Sequence, residues 1–453
     1  MRSERLSGWL QSLRVYAEPP VARMLLLGFA AGLPLLLVLG TLSYRLREAG
    51  IDRTTIGFLS WVALAYGFKW AWAPLVDKLP LPVLTRRLGR RRSWLLAAQL
   101  VIVSGLIGMA LTDPTQDLQR LVAFALLVAF ASATQDIALD AFRIESAPVD
   151  RQAAMAAAYQ VGYRVAMITA SAGALWIAAA VDPNERTYEH APWTVAYVCM
   201  AVAMLVGILT VLFSREPAVA IAPQTLRREQ GRSWFYVAVV SPVLDFLVRY
   251  RWHAVLLLAL IATYRISDIV LGVMSYPFYR DMGFTKDEVA AVSGVYGVIM
   301  TLVGAALGGV LALRYGVARV LILGAVLSAL TNLLFAWLTT RGHDIPALIA
   351  VISADNLSAG IASAAFVAYL SSLTNVAYSA TQYAVFSSLM LLLPKFLAGW
   401  SGWAVDSHGY PAFFIGTALI GLPVIALAWL ASRLAQPDGP ASDRHSSFTT
   451  DRS

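Results

Sequence analysis

The sequence has few of the features on which soluble enzymes depend. One cysteine, Cys199, excludes an intrachain disulfide, and five scattered histidines show no metal-ligand spacing. Neither a Gly-rich phosphate loop nor a Ser/His/Asp arrangement is evident. Charged residues make up only 14% of the chain, against about one quarter in soluble domains. These absences argue against an enzyme and against a soluble fold, and no cofactor is expected.

Long apolar runs recur along the whole chain instead. The sequence is 58% hydrophobic, with a mean hydropathy of +0.66. A membrane helix needs about 20 apolar residues, and the runs predict twelve transmembrane segments in an all-α membrane protein. We place these segments at 22–43, 54–77, 94–112, 120–143, 153–180, 192–214, 253–276, 289–313, 318–338, 346–371, 379–403 and 411–434.

The placement of Lys and Arg predicts the orientation. With the N-terminus in the cytoplasm, the clusters "TRRLGRRR" (85–92) and "TLRREQGR" (225–232) both fall on the cytoplasmic side. Both termini are therefore predicted to be cytoplasmic. Basic loops beside anionic lipid headgroups account for the net charge of +8, so membrane lipids are expected partners and nucleic acid is not.

The chain divides into two six-helix halves. We predict a cytoplasmic N-terminal segment (1–21), a first bundle (22–214), a linker (215–252), a second bundle (253–434) and a disordered tail (435–453). The end of the linker reads either as an amphipathic helix on the membrane surface or as an ordinary linker helix.

The two halves resemble each other. "LSYRLREAGIDRTTIGFLSWVALAYG" parallels "MSYPFYRDMGFTKDEVAAVSGVYG", and an acidic residue, Asp77, precedes the Gly-Arg-Arg run at 89–91. Six plus six helices with internal similarity are typical of the major facilitator fold, in which two bundles rock about a central site. We predict that fold and expect a functional monomer.

Charged side chains inside the predicted spans are candidate site residues, because each costs at least about 2.5 kcal/mol to place there. The cations are Lys69, Arg164, Arg265 and Lys395; the carboxylates are Asp136, Asp140, Asp268 and Asp355.

Two of the carboxylates lie one helical turn apart in "ASATQDIALDAFRIES". Asp136 is the deeper and is a candidate proton-coupling residue, the alternative being a permanent ion pair with Arg164. Asp140 and Arg143, together with Asp77, are predicted to belong to a cytoplasmic gate. Asp268 is a second proton candidate, although Arg265 at i−3 would also neutralise it.

A further set of residues is expected to contact substrate. Arg164 has no acidic residue on its own helix, which suits a carboxylate-bearing ligand. Polar uncharged side chains suit hydroxyl or amide groups, although small residues here also simply allow close helix packing. The predicted substrate-binding residues are Lys69, Gln135, Gln160, Tyr163, Arg164, Arg265, Asp355, Asn356, Gln382 and Lys395.

Several ordered stretches together resemble the AmpG muropeptide permease family of the major facilitator superfamily. They include "GFAAGLPLLLVLGTL", "IGFLSWVALAYGFKWAWAPLVD", "ASATQDIALDAFRIES", "GYRVAMI", "DNLSAGIASAAFVAYLSSLTN" and "SATQYAVFSSL". The resemblance implies proton-driven import of N-acetylglucosaminyl-1,6-anhydro-N-acetylmuramyl peptides across the bacterial inner membrane for peptidoglycan recycling. It also implies a link to β-lactamase induction in bacteria that carry an inducible enzyme.

Other functions stay open at this point. The nearest alternative is a carrier for another anionic sugar conjugate or for acyl-coenzyme A. A non-transporting receptor for muropeptides would bind the same ligand without proton-coupled flux. An enzyme is the least favoured reading, for lack of a catalytic constellation.

Overall fold

The computed structural model describes residues 18–146, 149–182, 187–217, 241–373 and 379–434, and these are almost entirely helical. The helices are α1 Pro19–Leu37, α2 Gly40–Glu48, α3 Arg53–Leu59, α4 Leu64–Phe68, α5 Ala73–Lys78, α6 Leu84–Leu88, α7 Arg90–Leu111, α8 Leu118–Ser146, α9 Val149–Ile168, α10 Ala174–Val181, α11 His190–Ala203, α12 Leu205–Phe213, α13 Ser241–Tyr250, α14 His253–Thr263, α15 Ile266–Asp281, α16 Lys286–Val289, α17 Gly297–Tyr315, α18 Val317–Leu338, α19 Ile345–Leu373, α20 Ser379–Ala398 and α21 Ser401–Leu434. The predicted disordered tail (435–453) and most of the predicted N-terminal segment lie outside the described residues.

Ten helical stretches of the described chain are long and apolar enough to cross a membrane. The other two predicted segments correspond to 53–78, which is broken into short pieces, and to α20, whose apolar part is the shorter stretch Val385–Ala398. The all-helical membrane architecture is thus confirmed. The total of twelve spans and the cytoplasmic position of both termini stay predictions.

The continuous helix predicted over 54–77 is wrong. Two 3₁₀ turns, Ser60–Ala63 and Lys69–Ala71, separate α3, α4 and α5. Pro74 explains the second break, because it has no N–H to continue the helical hydrogen bonds of the preceding turn. At the first break, the carbonyl of Ala63 accepts a hydrogen bond from the opposite half of the molecule.

Each half is held together by helices whose backbones approach closely at glycine. In the first half, α1 packs along α9, and a Cβ added at Gly162 would lie 1.9 Å from the carbonyl oxygen of Leu25. In the second half, α17 packs along α19, where Gly304 faces the backbone of Leu357. Lipid tails are as apolar as the helix side chains, so no hydrophobic driving force brings helices together in a membrane. Such close packing therefore supplies much of the attraction between them.

The two halves meet along three contacts. The segment α3–α4 packs on α20 and α21, α2 packs on α15, and α10 packs on α16. Two π-helical turns, Thr169–Gly173 and Ala290–Tyr296, also touch, with Gly294 against Ala172. All of these lie toward the end that carries the loops predicted to face away from the cytoplasm, which we call the outer end.

The described part of the linker is partly amphipathic. In α13, Phe246 is buried against Phe386 of α20, whereas Val248 is 75% exposed and Asp245 pairs with Arg249 on the surface. Residues 218–240 of the predicted linker lie outside the described residues.

Candidate functional site

A cavity of about 550 Å³ lies between the two halves. The first half contributes residues of α1, α2, the broken segment 60–69, α8 and α9. The second half contributes residues of α15 and α20. Its charged lining residues are Lys69, Asp136, Arg265 and Lys395, so the described wall carries three cations and one carboxylate. Ionised side chains would therefore make the cavity positive and attract anions.

Each of the three cations lies where its helix is irregular. Lys69 begins the second 3₁₀ turn, and Arg265 is in the non-helical turn between α14 and α15, with φ −96° and ψ 7°. Lys395 directly follows Pro394, which lies inside α20. Discontinuous helices commonly build transporter sites, because the freed backbone groups need polar partners that the cavity supplies.

Asp136 lies on the cavity wall in the uninterrupted helix α8. Its Oδ1 is buried and has no hydrogen-bond partner among the described residues. The charges that act on it belong to Lys69, Asp140 and Lys395. A carboxyl group in this position has nearby cations but no fixed ion pair within the described chain, so the alternative of permanent pairing with Arg164 finds no support here.

Lys395 reaches from the second half into the first. Its ammonium donates a 3.0 Å hydrogen bond to the carbonyl oxygen of Ala63. It also lies 5.2 Å from the ring centroid of Tyr66, a cation–π distance. This lysine therefore contacts both halves while it lines the cavity.

Arg265 is partly neutralised by a carboxylate in the first turn of α15. Its Nε lies 3.4 Å from Asp268 Oδ2, and Nη1 donates a 2.7 Å hydrogen bond to Ser363. Asp268 also accepts a hydrogen bond from Ser328 and is not on the cavity wall. Asp268 thus lies on the side of Arg265 away from the cavity wall. There it would neutralise the charge of the arginine when no anion occupies the cavity.

Three predicted substrate residues of the first half lie elsewhere than expected. Tyr163 lines the cavity, but Gln135 is fully buried and donates to the carbonyl of Ala30 in α1. Gln160 is exposed on α9. Arg164 is partly buried with Nη1 against the sulfur of Met167, outside the cavity lining. Helix rotation, which the sequence does not specify, explains these positions, and a substrate role for the three residues stays a prediction.

The predicted residues of α19 are also off the cavity wall. Asp355 faces Thr331 at 3.4 Å, while Asn356 accepts from Thr301 and donates to the carbonyl of Ile352. These contacts join α17, α18 and α19 inside the second half. The side chain of Gln382 lies outside the described ones, so its substrate role stays a prediction.

The predicted cytoplasmic gate residues lie at the inner end of α8. Arg143 pairs with Asp140 at 3.7 Å, and Asp140 is more than half exposed. Glu145 instead accepts hydrogen bonds from Arg91 of the Gly-Arg-Arg run, at 2.7 Å from Nη2 and at 3.2 Å from Nε. The side chain of Asp77 is outside the described ones, and the gate remains a prediction.

Sequence reasoning missed a buried ionic cluster at the outer end. Glu48 is the last residue of α2, Asp182 directly follows α10, and Lys286 of the second half lies between them. All three side chains are at most 2% exposed, and Trp193 donates a 2.6 Å hydrogen bond to Glu48. The signal was weak, because charged residues at helix ends usually belong to solvated loops.

A second, more exposed ionic group closes the same end. Asp281 of α15 accepts hydrogen bonds from Arg47 at 2.6 Å and from Arg53 at 2.8 Å. Arg53 also pairs with Asp406 of α21, and Tyr410 donates to Asp281. Every ion pair between the halves that the described residues show lies at this end, so the cavity is closed on its outer side.

The matched family profile agrees with this architecture. The profile described as "Major Facilitator Superfamily" matches residues 24–266 and 256–450. The structure is similar to that of a D-xylose–proton symporter, with a TM-score of 0.68 and 14% identity over 91% of this chain and 97% of that one. It is likewise similar to a bacterial homologue of the lysosomal transporter Spinster in an inward-facing state, with a TM-score of 0.67, 14% identity, and coverage of 93% and 97%.

Relatives with similar sequences identify the family within this superfamily. The chain is 34% identical over 419 residues to the anhydromuropeptide permease of Escherichia coli K12, covering 92% of this chain and 80% of the relative. It is 32% identical to the putative transporter AmpG 4 of Rickettsia felis, covering 91% and 96%. The fold and these relatives are those of transporters and not of enzymes. The chain therefore belongs to the AmpG permease family of the major facilitator superfamily.

Proposed function

We propose that this protein imports anhydromuropeptides into the cytoplasm and couples their entry to protons. The observation that carries the proposal is the cavity itself, in which three cations and one carboxylate line the space between the two halves. Relatives named for anhydromuropeptide transport, alike over nearly the whole chain, supply the substrate class.

The cavity chemistry suits such a ligand. Muropeptides carry peptide carboxylates, which Lys69, Lys395 and Arg265 would meet through charge-assisted hydrogen bonds. They also carry acetamido sugars, for which hydroxyl groups on the wall such as Ser43 and Ser388 offer hydrogen bonds. Arg265 would exchange its present partner Asp268 for the substrate carboxylate.

Asp136 supplies the candidate proton site. It faces the same space as the cations, with a buried oxygen that has no hydrogen-bond partner in the described chain. A carboxyl group that is protonated while open to one side and deprotonated while open to the other links transport to the proton gradient. Use of the imported product in peptidoglycan recycling and in β-lactamase induction is part of the same expectation.

The test is uptake of a labelled N-acetylglucosaminyl-1,6-anhydro-N-acetylmuramyl tripeptide into proteoliposomes, with and without an inward proton gradient. We expect accumulation against the concentration gradient only when protons flow inward. Uptake to equilibrium without gradient dependence would reject proton coupling and retain the carrier.

The competing functions give different results in the same experiment. Saturable binding without uptake by correctly oriented protein would indicate a receptor. Absence of both binding and uptake would reject the muropeptide as the substrate. It would favour another anionic sugar conjugate or acyl-coenzyme A, each to be tested directly as a labelled ligand.

A further inference from the structure

The outer closure includes a regular seam between residues 57–67 of the broken segment and residues 392–402, which form the end of α20 and the start of α21. Backbone and side chains meet in antiparallel order as the seam runs inward. Gly57 lies against Gly402, Trp61 against Phe396, Ala63 against Lys395, and Gly67 against Leu392.

Among the described residues, two hydrogen bonds cross between 57–67 and 392–402, and each runs from a side chain to a backbone carbonyl. Trp61 Nε1 donates to Phe396 at 2.8 Å, and its ring stacks on that of Phe396 with an interplanar angle of 3°. Lys395 Nζ donates to Ala63 at 3.0 Å in the opposite direction. Trp61 is not on the cavity wall, whereas Lys395 is.

Lys395 is thus shared between two tasks. An ammonium group has three donors, of which one is engaged by Ala63 and another face lies toward the Tyr66 ring. The described residues offer Lys69 as a natural comparison. It lines the same cavity with the same charge, but the described residues show no hydrogen bond from it across the seam.

We propose that Lys395 is a positioning residue that divides its ammonium between the outer seam and the anionic substrate, so that closing the seam weakens the hold on the substrate. The substrate half of this inference rests on the proposed function. With the seam open, the ammonium is free to bind an anion fully; with the seam closed, the Ala63 carbonyl competes for it. Release on the inner side is then favoured, because affinity falls when the cavity loses its outer access.

The same linkage works in reverse. A ligand that binds more tightly to the outer-open state must shift the population toward that state, by the ratio of its two affinities. Removing Lys395 should therefore have two effects: it should open the seam of the empty carrier, and it should abolish the ligand's influence on the seam.

Pulsed electron–electron distance measurement tests both effects. Spin labels would be placed at Gln116→Cys and Thr340→Cys, both exposed in outer loops of opposite halves, in a Cys199→Ser background. The variants are Lys395→Met, Trp61→Phe and Lys69→Met. Trp61→Phe removes a seam hydrogen bond but keeps the ring stacking, and Lys69→Met removes a cavity charge but no described seam bond.

In the absence of ligand, we expect the ratio of outer-open to outer-closed protein to rise about tenfold in Lys395→Met, the factor typical of one lost charge-assisted hydrogen bond. Trp61→Phe should shift the ratio in the same direction by a smaller factor, and Lys69→Met should leave it unchanged. Equal shifts in both lysine variants would overturn the seam role, because cavity charge alone would then explain the change.

Saturating anhydromuropeptide should lengthen the distance in the parent and in Trp61→Phe, and have no effect in Lys395→Met. A ligand response that persists in Lys395→Met would overturn the sharing of the ammonium. If the parent binds no muropeptide, the proposed substrate fails while the ligand-free comparison still decides the seam role. Lys395→Arg, which retains a donor, should restore the closed population if the hydrogen bond is responsible.

Discussion

At the scale of single residues, the cavity is defined by how few charges it contains. Asp136 is the only carboxylate among the described residues of its wall, whereas Asp140, one turn away on α8, is exposed outside it. Two aspartates that look equivalent in the sequence therefore have different surroundings, and only one can respond to a ligand in the cavity.

Replacing Asp136 by Asn should abolish proton-driven accumulation while leaving substrate exchange largely intact, because the amide keeps the shape but takes up no proton. Gradient-driven uptake and counterflow, measured on the same proteoliposomes, separate the two activities. Asp245→Asn, at an ion pair with Arg249 on α13, is the matched control and should accumulate substrate as the parent does. Retained accumulation in Asp136→Asn would move the proton site to another carboxylate, with Asp268 next.

Arg45 shows that a buried charge need not belong to the transport site. It is fully buried and donates 2.8 Å hydrogen bonds to the carbonyls of Met109 and Thr112, which end α7, while its guanidinium lies 5.3 Å from the Tyr197 ring. It satisfies helix-terminal carbonyls that would otherwise be buried without a donor.

Arg45→Met should therefore lower the free energy of unfolding by about 2–5 kcal/mol, since two buried carbonyls lose their donors. Thermal unfolding in detergent measures this loss. Arg47→Met, at a partly exposed ion pair, should lower stability by less than about 1 kcal/mol. A Tm unchanged in Arg45→Met would show that water replaces the lost donor.

At the scale of elements, neighbouring glycines of one helix have opposite surroundings. A Cβ added at Gly308 in α17 would lie 2.8 Å from the Cα of Ile361, whereas one added at Gly309 would meet no atom within 4 Å. The first glycine permits α17 to pack against α19, and the second only loosens the helix.

Gly308→Ala should destabilise the protein by about 1–3 kcal/mol through overpacking. Gly309→Ala should be neutral or stabilise it by up to about 1 kcal/mol, because alanine favours the helix. Unfolding of both variants under identical detergent conditions gives the comparison. Equal effects would mean that α17 and α19 separate readily.

The elements also show which features a sequence can predict. Long apolar runs such as Val317–Leu338 must form helices, because a membrane leaves backbone groups no other partners. The break near Ala63 was not predictable, since a contact with α20 accompanies it, whereas Pro74 in the sequence could have indicated the break near Lys69. The free-energy cost of a charged side chain in the bilayer identified four candidates for the site, Lys69, Asp136, Arg265 and Lys395. It did not show that Asp268 and Arg164 lie off the wall, because that depends on helix rotation and partners.

At the scale of the whole molecule, buried ion pairs between the two halves close the outer end of this transporter of the bacterial inner membrane. Glu48 and Asp182 from the first half enclose Lys286 from the second, all three away from water. Removal of one member of a buried ion pair commonly costs about 3–5 kcal/mol, whereas opening the outer end hydrates all three groups together.

Lys286→Met should favour the outer-open state, because it leaves two carboxylates buried without their ammonium. A cysteine at Ser43, which lines the cavity, should then react faster with a membrane-impermeant maleimide added from outside, in a Cys199→Ser background. Arg249→Met, which removes a cation paired with Asp245 inside one half, should leave the rate unchanged. Slower labelling in Lys286→Met would contradict a locking role.

The antiparallel seam also limits leakage. Gly57, Trp61 and Gly67 each pack closely against a residue on the facing segment. A partial separation of the seam would therefore disrupt several of these close contacts at once. We therefore expect the seam to be either closed or open, without a populated half-open state. With the proposed proton coupling, a seam that opens as a unit would also keep protons from leaking through the carrier between turnovers.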